Sequence, residues 1–128
     1  MAQLIYKIST KTLTWTSKNE RWSAVSGPHG LGSLPTGSYD ILRRKATAYS
    51  SKIKRSFQDE TGKGFFIPII PKFDTTRGKE GDGGFGIHPD GGISGTLGCM
   101  GITKDAASFY EAFASTPLNV RIVVKVVD

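Results

Sequence analysis

The chain consists largely of short segments in which apolar and polar residues alternate, each followed by a break. In residues 4–9 three apolar side chains share one face: Leu4, Tyr6 and Ile8. Such alternation is typical of a half-buried β-strand. Pro68 lies within a strongly β-prone segment, so we expect an edge strand or a bulge there. The segments predicted as strands are 4–9, 12–16, 21–26, 38–42 (with Tyr39 and Ile41 on one side), 65–71 and 120–127.

Only one segment shows helical periodicity. Four residues recur at a spacing that places them on one helix face: Ala106, Phe109, Tyr110 and Phe113. Thr103 is predicted to cap this helix, and Asp105 lies in its first turn. The helix should end near residues 115–117, because Pro117 cannot continue it. The sequence therefore predicts one mainly β domain over residues 1–128, with a single short helix.

The charge is strongly positive, with 17 Lys and Arg against 11 Asp and Glu. Basic residues cluster at 43–45 and 52–55, within a polar excursion over residues 43–64 that we expect to contain a short helix or hairpin. These clusters are either a solvated face or a surface for a polyanion such as nucleic acid, anionic lipid or bacterial cell wall. Charge alone does not choose between these alternatives.

Several classes of protein are excluded or disfavoured by composition. The only cysteine, Cys99, cannot form a disulfide within the chain. One cysteine and two histidines, His29 and His88, lack the paired spacing of a zinc site. No apolar segment approaches the length of a membrane helix, and no Sec-type signal peptide is recognisable. We therefore expect synthesis in the cytoplasm and, if the protein acts elsewhere, delivery by another route.

Most of the glycines fall between Gly78 and Gly101, a stretch that we interpret as a loop. Cys99 lies in it, either as a small buried apolar residue or as a nucleophile. Backbone N–H groups beside a helix start would lower the pKa of its thiol and hold an oxyanion. His88, eleven positions earlier, is either a structural residue or the base for that thiol. Asp90 is either part of a turn or the group that orients the imidazole.

Two segments resemble the L,D-transpeptidase (YkuD-type) catalytic domain. Ile87-His88 followed by Thr96-Leu97-Gly98-Cys99 is similar to the family's Ile-His-Gly and Ser/Thr-His-Gly-Cys pattern. Residues 34–41 resemble its upstream Thr-Pro-x-Gly-x-Tyr-x-Ile segment. Arg77, Trp22 and Ser26-Gly27 resemble positions in compact L,D-transpeptidase effectors of type VI secretion systems. Two departures stand out: Leu97 replaces a histidine, and Met100-Gly101 replaces Ile-Arg.

The resemblance implies an L,D-transpeptidase-type β-sandwich with one short helix. It implies a cysteine enzyme that cleaves tetrapeptide stems of peptidoglycan between diaminopimelate and D-Ala through a thioester, without cofactor or metal. Water, a D-amino acid or a second stem would then accept the acyl group. The residues implied as catalytic are Cys99, His88, Gly98 and Asp90; those implied as substrate-binding are Arg77, Thr96, Ser94 and Tyr39.

The expected partners follow from that function. An antibacterial effector would act in the envelope of a target cell, on peptidoglycan stem peptides, and would have an immunity protein as a partner. We expect a monomer with no nucleic-acid partner. Two alternatives stay open at this point: a non-catalytic basic module that binds wall polymer or nucleic acid, and a thiol peptidase of another kind.

Overall fold

The computed structural model describes residues 2–26, 34–74, 84–90 and 99–128. Short 3₁₀ turns lie between some strands, at Thr16–Lys18, Arg43–Lys45 and Arg55–Phe57. The strands and the helix are β1 (Ala2–Lys7), β2 (Thr12–Trp15), β3 (Glu20–Ser26), β4 (Gly37–Ile41), β5 (Ile67–Pro71), β6 (Gly86–Pro89), β7 (Met100–Ile102), α1 (Ala106–Ser115) and β8 (Ile122–Val127).

The eight strands form a closed barrel in the order β1-β2-β3-β7-β6-β5-β4-β8. Two neighbouring pairs, β1 with β8 and β6 with β7, are parallel, and the other pairs are antiparallel. The prediction of a mainly β domain with one α-helix is confirmed for the described residues. A two-layer sandwich is not confirmed, because hydrogen-bonded neighbours continue around the whole ring.

Two strands turn the corners of this barrel by changing partner along their length. β3 pairs with β2 over its first half and with β7 from Ala24 onward. β5 pairs with β6 at Ile67 and Pro68, and with β4 from Ile69 onward. β5 is therefore not an edge strand, contrary to the expectation from Pro68. Pro68 lies where the partner changes, and its carbonyl accepts a hydrogen bond from the N–H of Leu42.

Strand alternation gives the barrel its apolar interior. The side chains expected to face inward in β1 and β4 are buried: Leu4, Tyr6, Tyr39 and Ile41. Helix α1 packs on this core through Phe109, whose ring centroid lies 5.1 Å from that of Trp22 and 6.1 Å from that of Trp15. Aromatic packing of this kind contributes stability beyond the area buried.

The start of α1 differs from the prediction. Thr103 does not cap the helix, because its N–H and its hydroxyl both donate to the carbonyl of Ser23 in β3. Asp105 occupies the cap position instead, in a left-handed conformation (φ 56°) and without a side-chain capping bond. The helix ends at Ser115, as expected before Pro117. No helix among the described residues is long and apolar enough to cross a membrane.

The basic turn at residues 43–45 is tied to the far end of the chain. The guanidinium of Arg43 donates to four backbone carbonyls and so satisfies groups left open where α1 ends. Burial lowers the pKa of Arg43. Arg43 therefore has a structural role, while Arg44 and Lys45 beside it are exposed. The four acceptors belong to Phe113, Thr116, Pro117 and Val120.

Candidate functional site

The structure brings Cys99 and His88 to the same face of two neighbouring strands. β6 and β7 run parallel, with Ile87 opposite Met100 and His88 opposite Gly101. Ile87 and Met100 are fully buried in the core, so their neighbours in sequence face outward. Cys99 directly precedes Met100 and therefore lies on the side of His88.

Their Cα atoms are one strand and two residues apart, a diagonal of about 8 Å at ordinary sheet spacings. Two side chains that leave the same face can bridge that separation. Neither strand is among the predicted segments, although His88 was expected at the end of a β-prone run. Both strands are short and contain glycine, and Gly86–Pro89 and the start of Met100–Ile102 fall within the stretch interpreted as a loop. The placement of Cys99 and His88 on one face therefore follows from the parallel pairing of β6 with β7.

The imidazole of His88 is held by the backbone of the next residue. Its Nδ1 lies 2.7 Å from the carbonyl oxygen of Pro89. A carbonyl only accepts hydrogen bonds, so Nδ1 carries the proton in the neutral ring and Nε2 is left with its lone pair. Nε2 is buried and has no hydrogen-bond partner among the described residues. The ring thus presents an unoccupied basic nitrogen.

Asp90 does not orient this ring. Neither ring nitrogen of His88 is hydrogen-bonded to it, since Nδ1 contacts the Pro89 carbonyl and Nε2 has no such partner. The backbone N–H of Asp90 instead donates to the carbonyl of Ile102 and extends the pairing of β6 with β7. The charge of its carboxylate favours the protonated ring. The catalytic role implied for Asp90 is corrected accordingly.

Two aromatic rings cover the imidazole. The ring centroid of Phe57 lies 4.6 Å from that of His88, and Phe66 lies 6.1 Å away at an angle of 16°. Gly86 makes this cover possible, because a Cβ atom there would come within 2.2 Å of the Phe66 ring. The sequence did not single out either phenylalanine. Phe66 sits in a β-prone run and Phe57 in a polar segment, and neither has a local signal of a site.

The cover removes His88 from water, with only 2% of the residue exposed. Burial lowers the pKa of His88, against smaller opposing effects of the Pro89 hydrogen bond and the charge of Asp90. The ring is therefore neutral at neutral pH and is able to accept a proton. Had the pKa been raised, the ring would be protonated and unable to act as a base.

Cys99 is also buried, with 8% exposed. Burial raises the pKa of its thiol, and a hydrogen bond from the backbone of Gly86 lowers it by less. The thiol points toward the residues just before β6, with Sγ 3.9 Å from the carbonyl oxygen of Gly84. The prediction that a nearby helix start lowers the pKa of this thiol is wrong, because β7 separates Cys99 from α1. The resting pair is thus a neutral thiol and a neutral imidazole.

Tyr39 is not part of a substrate surface. It is fully buried, and its hydroxyl donates to the carbonyl of Pro35 at 2.6 Å. Gly37 between them has φ 140°, and a Cβ there would lie 2.6 Å from the ring of Phe73. The Pro-Thr-Gly-Ser-Tyr segment is therefore a folding element: glycine provides the unusual backbone, and tyrosine closes the bend.

The other implied site residues lie outside the described residues: Arg77, Ser94, Thr96 and Gly98. Among the residues that the structure does describe, no group of three or more histidine, cysteine or acidic side chains could hold a metal ion. A cavity of about 410 Å³ lies by the turn at 43–45 and the loop before β8, and neither Cys99 nor His88 lines it. Within the described ranges, the candidate site is therefore the face of β6 and β7 that carries His88 and Cys99.

Comparison with known proteins adds no family to this description. No protein-family model matches the chain, and no curated protein matches it. The site consists of a thiol and an imidazole on one strand face, a carbonyl that fixes the tautomer of the ring, and an apolar cover.

Proposed function

We propose that the protein is a cysteine-dependent peptidoglycan enzyme of the L,D-transpeptidase type. It acts on tetrapeptide stems at the bond between diaminopimelate and D-Ala, with Cys99 as nucleophile and His88 as base. The barrel, with its corners at β3 and β5, is on this proposal a closed form of the family's β-sandwich. An antibacterial effector that works in the envelope of a target cell is the biological role that fits this chemistry.

One observation carries the proposal: the hydrogen bond between Nδ1 of His88 and the Pro89 carbonyl. It leaves Nε2 unprotonated on the same strand face as Cys99. A buried histidine with a purely structural role normally has both ring nitrogens satisfied, because an orphaned buried nitrogen costs about 1–3 kcal/mol. A base that exchanges a proton with a neighbouring thiol supplies a reason for that cost.

The reaction proceeds in two acyl transfers. Nε2 of His88 takes the thiol proton as Sγ of Cys99 attacks the carbonyl of diaminopimelate, so that a carbon–sulfur bond forms. Backbone N–H groups of Gly98 and Cys99 hold the oxyanion. The bond to the D-Ala nitrogen breaks, and His88 returns the proton to the departing amine. A thioester on Cys99 remains.

The thioester is then resolved by an acceptor. Water gives a tripeptide stem, a free D-amino acid gives an exchanged stem, and the side-chain amine of a second stem gives a 3–3 cross-link. In each case His88 takes the proton of the attacking group, the carbon–sulfur bond breaks, and His88 passes the proton to the departing Cys99 sulfur, which restores the thiol. Since the resting thiol is neutral, His88 has to take its proton for Sγ to attack.

Mass spectrometry of disaccharide tetrapeptides after incubation with the protein tests this proposal. The wild type is expected to release D-Ala and to yield tripeptides, exchanged stems or dimers according to the acceptor supplied. Cys99→Ser and His88→Gln should abolish the release, whereas His29→Gln, which removes the other histidine, should retain it. An unchanged tetrapeptide with wild-type protein, or release by Cys99→Ser, would overturn the proposal.

A further inference from the structure

The turn that covers His88 carries three cations: Lys52, Lys54 and Arg55. All three are exposed, and none of the three side chains has a hydrogen bond or an ion pair with any residue in the described part of the chain. No acidic residue occurs between Asp40 and Asp59. An exposed cluster of this kind raises the local concentration of anions and selects for them.

The position of this turn connects its charge to the site. The ring of Phe57 lies against His88 on one side, and the ammonium of Lys54 lies 6.0 Å from its centroid. The ring of Phe57 is therefore close to both the ammonium of Lys54 and the imidazole, and Lys54 is at the border between the apolar cover and solvent. Arg55 belongs to the same 3₁₀ turn as Phe57. The cations thus lie at the rim of the Cys99–His88 face.

The nearest acidic side chain in the sequence does not neutralise these cations. The carboxylate of Asp59 accepts hydrogen bonds from the hydroxyl of Tyr49 and from the hydroxyl and backbone N–H of Thr61. It is thereby held within its own turn. The positive charge of Lys54 and Arg55 stays available to a group that arrives from solution.

We propose that Lys54 and Arg55 bind a free carboxylate of an acidic peptide whose scissile carbonyl lies at Cys99. The inference rests on the proposed function and names the substrate side of that site. A tetrapeptide stem offers two such carboxylates, the C-terminal one of D-Ala and the one on the diaminopimelate side chain. Arginine and lysine bind carboxylates through charge-assisted hydrogen bonds, which are stronger than neutral ones.

Binding to the Cys99→Ser protein tests the inference without catalysis. Calorimetric titration with a tetrapeptide stem should show about tenfold weaker binding for Lys54→Gln/Arg55→Gln than for the parent, an effect that decreases at high salt. Lys18→Gln is the matched control: Lys18 also lies on a 3₁₀ turn over an aromatic ring, 5.4 Å from the Trp15 centroid. Its affinity should stay within twofold of the parent.

Two modified peptides identify the carboxylate. One peptide has a C-terminal amide, and the other has lysine in place of diaminopimelate. The peptide that lacks the bound carboxylate should bind the parent protein weakly. Its affinity should equal that of the unmodified peptide for the double variant. If the double variant binds like the parent, if Cys99→Ser protein binds no stem, or if neither modification matters, the inference is wrong.

The two proposals fail in different ways. If the protein does not release D-Ala but binds the stem through its carboxylate, the proposed enzymatic function is wrong and the proposed binding site is retained. If Lys54→Gln/Arg55→Gln is catalytically normal with an unchanged KM, the proposed enzymatic function is retained and the proposed binding site is wrong. If both are right, the double variant raises KM about tenfold and changes kcat by less than twofold.

Discussion

The free energy of unfolding should depend on pH through His88. Burial under Phe57 and Phe66 lowers the pKa of this histidine in the folded state, whereas the unfolded chain has the ordinary value of about 6.5. Above that value both states are neutral at this ring, and stability does not change with pH. As the pH falls below it, the unfolded chain binds a proton that the folded protein does not, so stability is lost.

The magnitude follows from proton linkage. One pH unit below the unfolded pKa, protonation favours the unfolded chain by up to about 1.4 kcal/mol, as long as the folded ring stays neutral. The loss stops once the pH falls below the pKa of the folded ring. The same neutral ring keeps the base competent, so the acid limb of activity should lie below pH 6.5.

Urea unfolding of the wild type, His88→Gln and His29→Gln between pH 7.5 and pH 5.5 measures this effect. The stability of the wild type relative to His88→Gln should fall by up to about 1.4 kcal/mol over that range. His29→Gln should follow the wild type if His88 alone is responsible. A difference that is flat with pH, or that grows as the pH falls, would show that the cover does not keep His88 neutral.

Three substitutions test the structural roles by chemical denaturation. Tyr39→Phe removes a partly buried hydrogen bond and should cost about 1–2 kcal/mol, whereas Tyr110→Phe, whose hydroxyl is at an exposed site, should cost less than about 0.5 kcal/mol. Arg43→Met should cost about 2 kcal/mol or more, because four carbonyls lose a donor. Arg44→Met is the control and should be near neutral. Equal costs for the two variants would refute the structural role of Arg43. Gly86→Ala should cost about 1–3 kcal/mol by displacing Phe66, and a neutral result would contradict the close packing.

Alternation predicted the longer strands, because inward residues of a barrel strand are buried at every second position. Helical spacing predicted the buried face of α1. Leu4 and Tyr6 in β1 and Phe109 in α1 are examples. Alternation failed for β6 and β7, where Gly86 and Gly101 hide the pattern. These glycines reflect contacts with distant residues, such as the ring of Phe66 on Gly86, which a local pattern does not contain.

The sequence predicted only two side chains of the candidate site. Cys99 and His88 stood out by residue type and context, but their placement on one face depends on the parallel pairing of β6 with β7. Residue chemistry suggested that Asp90 orients the imidazole, and the motif suggested that Tyr39 binds substrate. In the structure the carbonyl of Pro89 orients the imidazole, and Tyr39 is buried. A backbone carbonyl has no signature in a sequence, since every residue carries one.

On the proposed function, Cys99 carries the acyl group during turnover. Wild-type protein should be mixed with a tetrapeptide stem, quenched in acid within seconds, and weighed intact by mass spectrometry. We predict an adduct equal to the stem minus D-Ala, located on the peptide that contains Cys99, removed by hydroxylamine and absent from Cys99→Ser. Release of D-Ala without any adduct on Cys99, or release by Cys99→Ser at the wild-type rate, would contradict it.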